Sequence, residues 1–168
     1  MTAAALLLGA VTIERLLELW WARHNTTALL AKDAREIAPG HYPAIVFLHA
    51  LWLASLWILG SASTLNLSWL TVFLALQGFR AWILVTLRGR WTTRIIVVPG
   101  APLVTHGPYR FLSHPNYLVV AGEIATLPLC FGLPLLALVF SIANAVILTV
   151  RIRAESAALY GSHHVEHI

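Results

Sequence analysis

The sequence predicts an all-α integral membrane protein of about five transmembrane helices, the last two forming a helical hairpin, with a polar cytosolic loop and a C-terminal helix. Three observations carry that expectation. Apolar residues make up 59% of the 168 positions and charged ones only 11%, with a mean hydropathy of +0.78, far outside the range of soluble domains. The apolar residues fall into runs close to the 20 or so that a bilayer crossing needs. One long polar passage, Pro99 to Tyr117, breaks those runs with four prolines, two histidines, two tyrosines and an arginine. Irregular backbone beside membrane spans needs partners for every N–H and C=O, so the passage reads as the wall of a site.

The first span is expected at residues 3–22, apolar apart from Thr12, Glu14, Arg15 and Glu18. Glu14 and Glu18 are four apart with Arg15 beside both, which puts a polar stripe on one sector of the helix. That stripe either snorkels at an interface or contributes to a pocket. This helix is too long and too charged at its inner end for a signal peptide, and no small-residue cleavage site follows it. Arg23 to His41 reads as a polar loop broken at Pro39-Gly40. The second span is expected at 42–60, with His49 as a histidine satisfied within its own helix.

The third span, 67–87, carries Gln77 and Arg80. Arg80 lies about 12 Å short of Arg88 along a helix, a costly depth for a guanidinium without a partner, which Glu14 or Glu18 would supply. Arg90 to Val98 alternates as an extended segment does and ends in a Pro99-Gly100 turn. Residues 117–131 and 133–151 form the hairpin, interrupted at Pro128 and at Gly132-Leu133-Pro134, with Glu123 as its only charge. Residues 151–160 leave the membrane as a helix, and a histidine-rich tail follows. The whole chain, 1–168, reads as one membrane-embedded domain.

The 11 Lys and Arg against 7 Asp and Glu do not imply nucleic acid, because the basic residues sit in short loops rather than in an aromatic-interleaved patch. Arg23, Lys32, Arg35, Arg88, Arg90, Arg94, Arg110, Arg151 and Arg153 all fall on one side if the spans alternate. By the positive-inside rule that side is cytosolic, and the N-terminus is outside. Cys130 is the single cysteine, which excludes an intrachain disulfide and any thiolate cluster. His106, His114, His163, His164 and His167 show no spacing of a zinc helix with a carboxylate base, so no metal is expected.

Gly107-Pro108 and His114-Pro115 set two turns whose backbone can face a polar cofactor. Arg151 and Glu155, four apart on the emerging helix, offer one cation and one anion at the membrane surface, or a plain surface ion pair. The ordered set Val104-Thr105-His106-Gly107-Pro108-Tyr109-Arg110, His114-Pro115-Asn116-Tyr117, then Arg151-Ile152-x-x-Glu155 resembles the isoprenylcysteine carboxyl methyltransferase family over the C-terminal half. The stretch Arg88 to Tyr117 is most similar to its small bacterial branch, which includes alkylpyrone O-methyltransferases. Ser113 stands where the family usually has arginine, leaving Arg110 as a substitute, and Ser156 replaces a second glutamate.

That resemblance implies S-adenosyl-L-methionine as cofactor and a lipophilic acceptor that enters from the bilayer. It implies a cofactor site made by Val104, His106, Gly107, Tyr109, His114, Pro115, Tyr117, Arg151 and Glu155, in segments 99–117 and 151–160. Arg151 and Glu155 would be catalytic, with Arg151 holding an anionic acceptor oxygen and Glu155 pairing with the cofactor's ammonium or orienting Arg151. His114 is a candidate proton acceptor. Arg110 and Glu123 would bind substrate, although Glu123 could instead satisfy Arg80. If the chain is bacterial, it belongs in the inner membrane, and a free alkylpyrone or alkylresorcinol is a better acceptor than a prenylated protein. The expected partners are that acceptor and the bilayer, not nucleic acid, with the chain as a monomer. The rival readings are a phospholipid N-methyltransferase and a non-enzymatic transport or assembly protein. The first is disfavoured by a cationic Arg151 beside an amine, and the second by the lack of an inverted repeat.

Overall fold

The computed structural model describes residues 2–163, the side chains of residue 41 and of residues 158–163 excepted. His164 and His167 of the histidine-rich tail lie outside the described residues, as does the side chain of His163. Five helices dominate: α1 (Ala3–Leu30), α2 (Tyr42–Gly60), α3 (Leu67–Leu87), α4 (Pro115–Cys130) and α5 (Pro134–His163). Strand β1 (Arg35–Glu36) pairs antiparallel with β2 (Ile96–Val97), which lies within the segment expected to be extended. Among the described residues, α2, α3 and α5 are long and apolar enough to cross a membrane.

Helix ends are set by identifiable groups. Thr2 caps α1 by accepting from the Ala5 amide at 3.0 Å, and its hydroxyl donates to the Ser61 carbonyl at the end of α2. Asn66 caps α3 through the Ser68 and Trp69 amides, while its own amide donates to the Cys130 carbonyl at 2.8 Å. These two links bring the start of α1 to the end of α2, and the start of α3 to the end of α4. α4 continues through Pro128 to Cys130 and stops where Gly132 takes φ +71°. There the Leu133 amide reaches the Pro128 carbonyl and the Gly132 amide reaches Leu129, a Schellman closure that consumes the orphan carbonyls. The interruption expected at Pro128 is therefore absent. A proline near a helix end removes one amide bond without breaking the turns before it.

Two boundaries differ from expectation. The segment 23–30 is the last part of α1 rather than loop, so the helix is roughly 42 Å long. The hydroxyls of Thr26 and Thr27 bond back to the carbonyls four residues earlier, which lets these poor helix formers stay helical. The fifth span and the C-terminal helix are one continuous α5, since nothing between Val150 and Ile152 can break a helix.

Packing is layered along the bundle. At one end Leu8, Val11, Trp52, Leu56, Phe73, Ile124 and Leu127 form a buried apolar cluster. At the other, Ala22, Ile83, Trp91 and Val119 form a second, with Trp21, Leu84 and Tyr109 against it. Between them lies a layer of charge. Arg80 donates to Glu18 at 2.8 Å and to both carboxylate oxygens of Glu123, with Nε to Oε1 at 2.8 Å, and Gln77 and Arg15 also donate to Glu123. Glu18 is thus the first-helix partner of Arg80, and Glu123 of α4 is a second. His49 bonds the Ile45 carbonyl in its own helix at 2.9 Å. Outward residues such as Phe47, Ile58, Leu67 and Leu135 are exposed apolar side chains, as expected of helices that face lipid.

Candidate functional site

The passage from Arg88 to Tyr117 is tied to the bundle by side chains. Asn25 of α1 is buried and donates to the carbonyls of Arg88 and Trp91 at 3.1 and 2.8 Å. The Ile37 amide donates to the Ile95 carbonyl beside the ribbon, and Arg94 grips both oxygens of Glu36 while its guanidinium lies 4.6 Å from the Tyr42 ring. Residues Gly107–Arg110 make one 3₁₀ turn. Gly107 has φ +60°, and a Cβ there would sit 2.5 Å from Thr86 Oγ1. Only glycine lets this turn rest on α3.

α4 starts at Pro115, where a missing amide costs nothing, and Tyr117, two residues into the first turn, reaches Arg151 and Glu155 of α5. Four of the expected residues meet there. The Tyr117 hydroxyl donates to Glu155 Oε2 and accepts from Arg151 Nε at 2.8 Å. His114 stacks on the Tyr117 ring with centroids 5.4 Å apart, and its Nδ1 is 3.7 Å from Glu155 Oε2. Arg151 is buried, and its Nη2 donates to the Thr93 carbonyl at 2.7 Å. Tyr109 is close enough to feel the Glu155 carboxylate, and burial together with that charge pushes its phenol up to about 12. The helix that emerges from the bundle and the proline-rich passage therefore do share one cluster.

The remaining residues take other places. Pro115 is buried at the helix start, Val104 is half-buried, and His106 and Arg110 are exposed, the Arg110 guanidinium 5.8 Å from the Phe111 ring. Glu123 stands in the ion layer, six residues and about 9 Å along α4 from Tyr117. Two contributors were not visible in the sequence. Thr93 acts through its carbonyl, which no residue-type pattern reveals. Asn116 lies inside the His-Pro-Asn-Tyr motif, and its buried Oδ1 has no partner among the described residues.

This donor set suits a zwitterionic amino-acid end. Glu155 and the orphaned Asn116 Oδ1 can accept from an ammonium or an amino group, and Arg151 can face a carboxylate. Helices of membrane-spanning length carry this array at one end of the bundle. The isoprenylcysteine carboxyl methyltransferase (ICMT) family matches residues 69–161, the stretch from α3 through α5 that contains the whole array. The "Uncharacterized protein YpbQ" of Bacillus subtilis (strain 168) is 39% identical over 167 residues, covering 92% of this chain and 95% of that protein. No solved structure matches the chain. The chain belongs to the ICMT family.

Proposed function

We propose that this protein is an S-adenosylmethionine-dependent O-methyltransferase whose acceptor is a lipophilic molecule reaching it through the bilayer. The observation that carries this reading is the contact of Arg151, Glu155, Tyr117 and His114 at one end of the bundle. In this reading α1 and α4 also cross the membrane, and the basic loops place the site on the cytosolic face. Methyltransferases of this family use S-adenosylmethionine, which when bound supplies a methyl group on a positively charged sulfur.

The chain's own residues then have three tasks. The first is to bind: Glu155 faces the ammonium, while Val104, His106, Gly107, Tyr109 and Pro115 bound the pocket. The second is to align. Arg151 is held by the Tyr117 hydroxyl and the Thr93 carbonyl, so its remaining nitrogen, Nη1, can present a fixed charge to an acceptor oxygen without further ordering. The third is to manage the proton. An enol or phenol must lose its O–H hydrogen as the methyl arrives, and the His114 imidazole, beside Glu155 and stacked on Tyr117, is the group placed to accept it. Arg110 would guide an anionic acceptor at the surface, and Glu123 would act on the acceptor only through the ion layer it belongs to.

The test is incubation of the detergent-purified protein with methyl-labelled cofactor and a panel of alkylpyrones, alkylresorcinols and prenylcysteines. Label is expected in an organic-soluble product, and Arg151→Ala and Glu155→Ala should each lower transfer at least a hundredfold. Undiminished transfer in both variants would remove the assignment.

A further inference from the structure

Away from the Arg151 cluster, the ion layer opens sideways. Two open grooves of about 760 and 340 Å³ run along α1 and share Ala10, Glu14 and Leu84. The larger is walled by Ile13, Leu17, Glu18 and Trp20, and the smaller reaches Gln77 and Arg80 on α3. Their walls are apolar, yet their floor is the most polar part of the helix bundle.

The floor is not satisfied internally. Glu18 Oε1 and Gln77 Oε1 are acceptors without a hydrogen-bond partner among the described residues, but both are closed off beneath the groove surface, which leaves Glu14 as the carboxylate that opens into it. Glu18 is only 9% exposed. Glu14 faces both grooves and, unlike its neighbours Glu18 and Glu123, has no ion pair or hydrogen bond among the described residues. Arg15 and Arg80 are already engaged by Glu18 and Glu123. Buried acceptors in this state cost free energy until a donor reaches them.

Depth narrows what that donor can be. With α1 crossing the membrane as proposed above, Glu14, about 16 Å along the helix from Ala3, falls near the middle of a hydrocarbon layer roughly 30 Å thick. A charged phospholipid head stays at the interface, and an anionic carboxylate would meet an excess of glutamate. A neutral hydroxyl on a single alkyl chain suffers neither penalty, since it is a donor small enough to enter hydrocarbon.

We propose that the α1–α3 groove is a binding site for a single-chain lipophile with a neutral hydroxyl head, held by the Glu14 carboxylate, its chain along Ile13, Leu17 and Trp20. The groove ends at Trp21 and Leu84, which pack in the same cluster as Tyr109 and Val119, and Val119 is two residues from Tyr117. The inner end of the groove thus abuts the apolar cluster that Tyr109 of the candidate site also joins. Naming the occupant the methyl acceptor rests on the methyltransferase reading; its binding does not.

The test uses a long-chain 4-alkylphenol carrying a diazirine in its tail, photolysed with the protein in nanodiscs without cofactor at pH 8, with labelled peptides mapped by mass spectrometry. Saturable labelling is expected on the groove-facing residues of α1 and at Leu84. Excess unlabelled alkylphenol should compete it away, and a fatty acid of equal length should compete at least tenfold more weakly. Glu14→Leu should cut labelling at least tenfold. Ile13→Trp, which fills the mouth from a position 60% exposed and leaves every charged contact in place, should do the same. Labelling spread evenly over the outward faces of α2 and α5, equal competition by the fatty acid, or full labelling in Ile13→Trp would overturn the proposal. Groove labelling without methyl transfer in the lipid panel would sink the enzymatic reading alone, and transfer without groove labelling would sink this site alone.

Discussion

At the scale of single residues, Tyr117 is the hinge of the candidate site, because one hydroxyl serves both Arg151 and Glu155. Hydrogen bonds to charged groups contribute about 1.5–3 kcal/mol, so Tyr117→Phe should lower methyl transfer roughly ten- to a hundredfold. Stability should fall by no more than about the same 1.5–3 kcal/mol, since the ring and its stacking on His114 remain. A larger fall in stability than in turnover would show the hydroxyl to be structural. Tyr109 gives a prediction in pH. Its phenol is pushed up to about 12 by burial and then by Glu155, whereas an unfolded tyrosine ionises near 10. With the folded value the higher one, its contribution to stability is fully present below about pH 10 and is lost as pH rises through about 12. The unfolding temperature should fall less steeply across that window in Tyr109→Phe than in the wild type.

Among the elements, two turns depend on glycine for different reasons. Gly132 closes α4 with a left-handed residue, so Gly132→Ala should cost about 1 kcal/mol through backbone strain alone. Gly107 carries the same kind of strain and also lies against Thr86, where an added Cβ would meet Oγ1 at 2.5 Å and Cγ2 at 2.9 Å. Gly107→Ala should therefore be the more destabilising of the two. Adding Thr86→Ala should recover the steric part and leave about 1 kcal/mol. Thermal unfolding of the single and double variants checks this, and no recovery in the double variant would mean that the turn does not rest on α3 as described. The length of α1 follows the same logic of local supply. Threonines that bond back to their own helix, and an asparagine that finds two carbonyls across the bundle, carry the helix past the point where its apolar run ends.

For the molecule as a whole, the layer of charge between two apolar clusters decides how the helices register. Burial makes its pairs costly to break singly. Glu123→Gln leaves Arg80 and Arg15 short of a carboxylate at 2% exposure and should destabilise by about 3–5 kcal/mol. Arg94→Gln removes a partly exposed pair with Glu36 and should cost less than about 1 kcal/mol. Similar losses in the two variants, measured by thermal unfolding in one detergent, would contradict the buried layer. The same layer explains why polar residues persist in spans that apolar ones would make more stable: they hold α1, α3 and α4 at one height and leave a polar floor beneath an apolar groove.

What could be read without coordinates was whatever depends on local chemistry. Runs of apolar residues marked where α2, α3 and α5 lie, Gly132-Leu133-Pro134 marked the turn between the last two helices, and the lone Arg80 announced that a carboxylate must reach it. The motif around His114 and the Arg151 to Glu155 spacing named the residues that meet. Contacts between distant segments were beyond that reach. That Glu18 and Glu123 both answer Arg80 while Glu14 does not, that Thr93 supports Arg151 through its backbone, that β1 and β2 pair, and that α1 and α3 leave a groove between them are matters of which surfaces face each other. Helical periodicity assigns a side chain to a face but leaves open what stands opposite, and only the packing of the bundle decides that.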